Sequence, residues 1–176
     1  HTIDLFYCQQ WHHDNRGLQS GVIDADIDTP GAWALATGTN LEPRVAIIDS
    51  GFWAAHPDLA GNLWHDPVDG TPGRRFYDDD HTALLDPQYP KEHGTSVAGI
   101  IGSAHNIADG RGICPGCELL LIRNAKTAKR IAETFYFATE QDAAVISNSW
   151  EPGEALEAIN LAIEEAATIH GTPIVF

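Results

Sequence analysis

The chain has 176 residues, 43% hydrophobic and 20% charged, and its 25 acidic against 10 basic residues give a formal charge of −15. This size and composition are ordinary for a single globular domain with one sizeable core. The negative charge repels phosphate backbones and anionic lipid surfaces, and no apolar run approaches the roughly 18 residues of a membrane helix. We therefore expect no nucleic-acid partner and no membrane partner. The acidic excess either keeps the protein soluble or serves to bind divalent cations.

The predicted elements alternate between strands and helices after an N-terminal arm. Residues 1–43 are assigned to this arm and a first helix, and residues 44–176 to a core, within one domain spanning 1–176. Short apolar runs predict strands and helical spacing predicts helices, with a long irregular, Pro- and Gly-rich segment between the first strand and the next helix. The predicted strands are 44–49, 118–123, 143–147 and 172–176; the predicted helices are 94–103, 126–141 and 153–170; the irregular segment is 64–92.

Near-continuous apolar strands that alternate with helices predict an α/β fold, in which a mainly parallel sheet lies between two layers of helices. Active sites of such sheets lie beyond the carboxyl ends of the strands. Asp49 ends the first strand, and the segment Ser147–Trp150 ends the third. Both positions are therefore candidate functional positions.

Three cysteines are present, and Cys114 and Cys117 frame a Pro-Gly turn while Cys8 stands apart. A local disulfide between Cys114 and Cys117 is the first interpretation, a reduced pair the second and a metal site the third, because one CxxC is only half of a zinc knuckle. Cys8 is expected to be unpaired or bonded outside the chain.

Two motifs place catalytic residue types where a Ser-His-Asp system needs them. VAIIDSGFWAAHPDL puts Asp49 at a strand end, and HGTSVAGIIG puts His93 at a helix start. In such a system the aspartate fixes the histidine tautomer, and the histidine takes the serine proton. Alone, either residue would be read as an ordinary turn or loop residue.

Together, DSGFWAAHPDL and HGTSVAGIIG resemble the Asp and His signatures of the subtilisin-like serine proteases, or subtilases. Further segments, DLFYCQQWH, ADIDTPGAW and SNSW, resemble the kexin and furin branch and its bacterial relatives. The resemblance implies a three-layer subtilisin-like fold, with Asp49 as the catalytic acid partner and His93 as the general base.

The resemblance also implies what should follow the chain. In subtilases the strand matching TPIVF leads to the oxyanion-hole Asn, and the nucleophilic Ser comes much later. Ser50, Ser96, Ser147 and Ser149 do not have the sequence context of that nucleophile. We therefore expect the chain to be the N-terminal portion of the catalytic domain, with the serine on a C-terminal segment that could be a separate chain.

The segment SNSWEPGE resembles the stretch that forms one wall of the S1 pocket in subtilases. This assigns Ser147, Ser149, Trp150 and Glu151 to substrate binding, with Glu151 where the family usually has Gly. A carboxylate there would attract a basic P1 residue, narrow the pocket, or simply face solvent. Furin-like enzymes have a second Asp where this chain has Ser50, so strict dibasic cleavage is not expected.

The family's high-affinity calcium site implies Asp4, Asp58 and Asn106 as calcium ligands here, and oxygen-rich ligand sets suit Ca²⁺. The acidic run Asp78, Asp79, Asp80 is a weaker candidate for a second cation site.

The leading hypothesis is a secreted, calcium-stabilised serine endopeptidase that cleaves peptides or proteins and has a processed N-terminus. A pro-segment or an inhibitor is a further expected partner. The alternatives are a catalytically silent subtilase-like binding or regulatory domain, and a proteolytic fragment without activity of its own.

Overall fold

The computed structural model describes residues 4–17, 21–39, 41–76, 93–151 and 157–176. The strands are β1 (Arg44–Asp49), β2 (Arg74–Arg75), β3 (Glu118–Arg123), β4 (Val145–Asn148) and β5 (Ile174–Val175). The helices are α1 (Thr29–Trp33), α2 (His93–Gly102), α3 (Ala128–Glu140) and α4 (Glu157–Thr168). The sheet order is β2-β3-β1-β4-β5, and every pairing between strands is parallel. The predicted parallel sheet with helices is confirmed.

Strand β1 lies at the centre of the sheet and is buried on both faces. Successive side chains of a strand point to opposite faces. Val45 and Ile47 accordingly join a cluster with Ala98 of α2, whereas Ala46 and Ile48 join a cluster that includes side chains from α3 and α4. The sheet therefore separates two apolar layers, as the continuous apolar character of RVAIID indicates.

Several element boundaries differ from the sequence-based prediction. The prediction missed β2, which lies in the segment expected to be irregular and pairs with Ile122 and Arg123 of β3. A two-residue strand shows no periodicity of its own, since its pairing depends on a distant partner. Strand β4 ends at Asn148, so Ser147 lies within the strand. The predicted start of the last helix, and the run Asp78–Asp80, lie outside the described residues.

The N-terminal arm packs against the loop that follows α2. Leu5 and Phe6 donate backbone hydrogen bonds to the carbonyls of Ala108 and Asp109, at 2.8 and 2.7 Å. The Trp33 indole donates to the Ile113 carbonyl at 2.8 Å. None of the helices in the described ranges has both the length and the apolar character needed to cross a bilayer.

Cys114 and Cys117 form a disulfide with their Cα atoms 5.4 Å apart. This corresponds to the first of the three interpretations of the CxxC pair. Gly38 approaches it so closely that a Cβ there would meet Cys114 Sγ at 2.6 Å, and Gly38 has a φ of +88°. The Cys114–Cys117 turn therefore packs against Gly38, where a side chain would clash and where the positive φ favours glycine. Cys8 is exposed, and within the described part of the chain its thiol has no disulfide partner.

Two histidines, His13 and His105, make hydrogen bonds to carbonyls of the loop after α2, on which the N-terminal arm packs. His13 is fully buried. Its Nε2 donates to the Arg111 carbonyl at 3.0 Å, so its Nδ1 accepts from the Thr29 hydroxyl at 2.8 Å. His105 Nε2 lies 3.2 Å from the Gly112 carbonyl. Burial lowers the pKa of His12, His13 and His105 below the ordinary value of 6.5.

These lowered histidine pKa values predict a loss of stability at mildly acidic pH. In the unfolded chain the histidines take up protons near pH 6.5, whereas the folded protein resists protonation until lower pH. The free energy of unfolding should therefore fall as the pH decreases from 7.5 to 5.5. Urea unfolding measured at both pH values checks this, and His105→Gln, which keeps an amide donor, should reduce the pH dependence. A variant with the same pH dependence as wild type, or greater stability at pH 5.5, would contradict the prediction.

Candidate active site

Asp49 and His93 meet at the carboxyl end of β1. Asp49 is the last residue of β1, and His93 is the first residue of α2. Nδ1 of His93 lies 3.0 Å from both carboxylate oxygens of Asp49. The two residues are 44 positions apart in the chain, so the packing of α2 against the sheet creates the pair.

The two partners differ sharply in exposure. The Asp49 side chain is 3% exposed and that of His93 is 59% exposed. Oδ1 of Asp49 also accepts the backbone N–H of Ser50 at 2.7 Å and its hydroxyl at 3.0 Å. These two bonds hold the Asp49 carboxylate in a fixed orientation. Asp49 can therefore orient the imidazole through Nδ1, which leaves Nε2 of His93 on the edge of the ring that points away from Asp49.

Two further contacts set the position of α2 over β1. The Thr95 hydroxyl accepts the backbone N–H of Trp53 at 2.8 Å. Gly94 is buried so tightly that a Cβ would lie 2.5 Å from the Gly51 carbonyl oxygen and 2.9 Å from Asp49 Cβ. The helix start can approach the strand end this closely only because residue 94 has no side chain.

The end of β4 leads into the predicted substrate-binding segment. The Trp150 indole donates to the Ile48 carbonyl at 2.8 Å, which ties this segment to β1 next to Asp49. Ser149, Trp150 and Glu151 line a cavity of about 640 Å³ together with Asn148, Asn160, Ile163 and Phe176. Ser147 is not among the described residues that line this cavity; it lies within β4 and pairs with Ile47 and Val175.

The predicted calcium ligands lie around the loop after α2. Asp4 is buried, pairs with the Arg111 guanidinium, and accepts the N–H groups of Asn106 and Ile107 at 2.9 and 2.7 Å. Burial alone would raise the pKa of Asp4, but these partners outweigh it and lower the pKa below its usual value. The Asp4 carboxylate is therefore already paired with a cationic side chain of the protein, that of Arg111.

The other two predicted ligands, Asn106 and Asp58, differ in the hydrogen bonding of their side-chain oxygens. Oδ1 of Asn106 accepts the Ala108 N–H at 2.9 Å. Oδ2 of Asp58 accepts the Gly110 N–H at 3.0 Å. Oδ1 of Asp58 is buried and has no hydrogen-bond partner among the residues that the structure describes. Of the three side chains, Asp58 therefore has the oxygen best suited to a cation.

The sequence reasoning missed some residues that build the site. The sequence excludes Ser50 as the nucleophile and argues through it against dibasic cleavage, but it does not indicate that the Ser50 hydroxyl donates to Asp49. Thr95 and Gly94 lie inside the histidine motif, but their roles depend on contacts with Trp53 and Gly51. The glycine directly after His93 is the sequence signal that could have indicated this close approach.

The chain matches the family model of peptidase S8, the subtilase family, over residues 42–175. It is 32% identical over 148 residues to an intracellular serine protease of Paenibacillus polymyxa, which covers 80% of this chain and 42% of that protein. It is 31% identical over 150 residues to a calcium-dependent protease of Nostoc, covering 83% of this chain and 21% of that protein. The chain thus spans less than half the length of these relatives.

The crystal structure of fervidolysin from Fervidobacterium pennivorans, a keratinolytic enzyme related to subtilisin, has a similar fold. Its TM-score is 0.66 at 26% identity, and the match covers 82% of this chain and 22% of that one. The predicted subtilisin-like α/β fold is thereby confirmed, whereas the kexin and furin branch stays a prediction. Since the family model covers most of its residues, this chain belongs to the subtilase family.

Proposed function

We propose that this chain is the Asp- and His-bearing part of a serine endopeptidase that hydrolyses peptide bonds. The observation that supports this most is the hydrogen-bonded pair of buried Asp49 and exposed His93, with Nδ1 3.0 Å from both carboxylate oxygens. In this proposal the nucleophilic serine comes from a further segment of the protease. That segment would contact His93 from its exposed side.

In the proposed mechanism Asp49 holds the proton of His93 on Nδ1, which leaves Nε2 as the base. Nε2 takes the serine proton during attack on the substrate carbonyl, and the buried carboxylate stabilises the imidazolium that forms. His93 then gives the proton to the leaving amine. The Ser50 N–H and hydroxyl hold the Asp49 carboxylate in place during these steps.

We further propose that Ser149, Trp150 and Glu151 form one wall of the S1 pocket. Ser147 lies within β4 and would support this wall without lining the pocket. Trp150, Ile163 and Phe176 give this cavity an apolar lining, and Glu151 adds a carboxylate to it. Glu151 is exposed, so its carboxylate lies at the solvent-facing edge of this cavity, where it favours a cationic group over a neutral one. The pocket should therefore prefer Arg or Lys at P1.

Replacing Glu151 tests this preference. In Glu151→Gly the ratio of kcat/KM for P1 Arg over P1 Leu peptides should fall about 3-fold, because an ion pair at an exposed position contributes roughly 0.2–1 kcal/mol. Glu151→Gln, which keeps the size of the side chain, should show most of the same fall. An unchanged ratio in both variants would mean that Glu151 does not contact the P1 side chain.

We propose that the protease is secreted and binds calcium. The Cys114–Cys117 disulfide favours secretion, because disulfides persist in oxidising compartments. The calcium-dependent relative in Nostoc supports calcium. In this chain the open oxygen of Asp58 is suited to the ion, whereas Asp4 would have to leave Arg111.

Labelling with a fluorophosphonate probe tests the proposed activity. The full-length protease, with calcium present and any pro-segment removed, should gain one probe mass on a serine outside these 176 residues. Intact masses under denaturing conditions show whether the labelled serine is on the same polypeptide or on one that copurifies. If no serine is labelled, the catalytically silent subtilase-like domain or an inactive fragment becomes the better description.

A further inference from the structure

The Cys114–Cys117 turn lies where the chain that follows α1 meets the chain that leads into β3. Residues 34–39, called the linker below, follow α1 directly. The Gly116 N–H donates to the Thr37 carbonyl at 2.9 Å. A Cβ on Gly116 would lie only 2.4 Å from the Thr39 nitrogen. The linker and the turn therefore interlock through backbone atoms, with no room for a side chain between them.

The same contact includes one sulfur atom of the disulfide. A Cβ on Gly38 would lie 2.6 Å from Cys114 Sγ, so the Gly38 backbone packs closely against that sulfur. Cys117 is 4% exposed and belongs to the apolar cluster under α2, which leaves its sulfur little freedom to move. Sulfur atoms that are no longer bonded must separate to van der Waals contact. Breaking the bond would therefore move Cys114 Sγ against the linker.

The surroundings of the disulfide allow the bond to break and to form again. A cavity of about 310 Å³ borders Cys117, and its lining includes the exposed Thr39 and Glu42. The Cys114 N–H donates to the Ile101 carbonyl at 2.8 Å, a bond that involves neither sulfur. The cysteines are 3 positions apart, and the entropic stabilisation by a disulfide is smallest for such short loops. The reduced protein should therefore stay folded, with both thiols close enough to bond again.

We propose that the Cys114–Cys117 disulfide is a reversible redox latch, which holds the linker in place when oxidised and releases it when a dithiol reduces it. One thiolate of the dithiol attacks a sulfur of the pair, the S–S bond breaks, and the second thiol of the reductant completes the exchange. The two cysteines gain two electrons and two protons as thiols, and the dithiol becomes a disulfide. The latch is closed in an oxidising compartment. The proposal does not depend on the proposed protease activity.

Hydrogen exchange of the full-length protein, followed by mass spectrometry with and without dithiothreitol, tests the latch. The N–H groups of Gly116 and Glu42 report on it, because their acceptors are the carbonyls of Thr37 and Gly38. Reduction should speed exchange at least about 10-fold in peptides that contain these groups, while residues 131–138 of α3 keep their protection. Alkylation and peptide mapping identify the reduced cysteines, and reoxidation should restore slow exchange.

Variants separate the bond from the packing around it. The double variant Cys114→Ser with Cys117→Ser should exchange quickly at the linker whether or not dithiothreitol is present. Gly38→Ala should do so with the disulfide intact, because its methyl group would meet Cys114 Sγ and its φ is +88°. Gly70→Ala is the matched control, since Gly70 has a similar φ of +74° and nothing lies within 4 Å of a Cβ there. Its linker should exchange as in wild type.

Three results would overturn the proposal. Linker exchange that stays slow after reduction would show that the bond does not hold the linker. Equal acceleration in α3 would show that reduction unfolds the whole protein, so that the disulfide is only structural. A pair that excess dithiothreitol leaves oxidised in the folded protein would show that it is not redox-sensitive.

Discussion

Replacing Asp49 with Asn is expected to lower kcat/KM about 10⁴-fold without unfolding the protein. The Ser50 N–H can only donate, so it holds the amide oxygen of Asn on its own side at the 2.7 Å contact. The amide nitrogen then faces Nδ1 of His93, which must accept. The imidazole proton moves to Nε2, and His93 can no longer act as a base. Peptide hydrolysis by the full-length protease measures the change.

Asp69→Asn is the matched control for this variant, because Asp69 is an exposed carboxylate whose hydrogen bonds go to Thr71 in its own turn. It should retain the wild-type rate. Loss of less than 10-fold in Asp49→Asn would show that the pair does not set the tautomer in the active enzyme.

Replacing Gly94 with Ala is expected to lower kcat/KM by at least about 100-fold, since a misplacement of about 1 Å at a catalytic group has that effect. The new Cβ would lie 2.5 Å from the Gly51 carbonyl oxygen and 2.7 Å from Phe52 Cε1. Phe52 is fully buried and has no room to move. The start of α2 must therefore shift from β1, which separates His93 from Asp49. Overpacking should also reduce the free energy of unfolding by about 1–3 kcal/mol.

Gly99→Ala provides a control on the same helix. A Cβ at Gly99 meets only Ser103 Oγ, at 3.4 Å, and alanine favours a helix over glycine by roughly 1 kcal/mol. This variant should keep its activity and unfold at a higher urea concentration. If both variants lost activity equally, helix composition in general, rather than the close approach at Gly94, would be responsible.

The sequence predicted the parts of the fold that have a strong local pattern. RVAIID and ELLLIR have continuous apolar interiors, and the structure has strands with these bounds, Arg44–Asp49 and Glu118–Arg123. The two motifs likewise indicated that Asp49 and His93 would be partners. Asp49 ends a strand and His93 starts a helix. At such positions the local backbone determines where the side chain points.

Features that depend on pairs of distant residues could not be predicted in this way. Strand β2 exists only through its pairing with β3. The ion pair of Asp4 and Arg111 joins residues 107 positions apart in the sequence. His56 and Asp109 approach each other only because the loop after α2 folds back over the Asp58 turn. No local pattern in the sequence encodes these contacts.

The rate at which a fluorophosphonate labels the full-length protease tests the central claim most directly, when wild type is compared with His93→Ala. Labelling requires a serine made nucleophilic by its base. The account predicts that His93→Ala reduces the labelling rate at least about 1,000-fold, while His65→Ala labels as wild type does. Labelling of His93→Ala at the wild-type rate would contradict it, because the serine would then be activated by some other group.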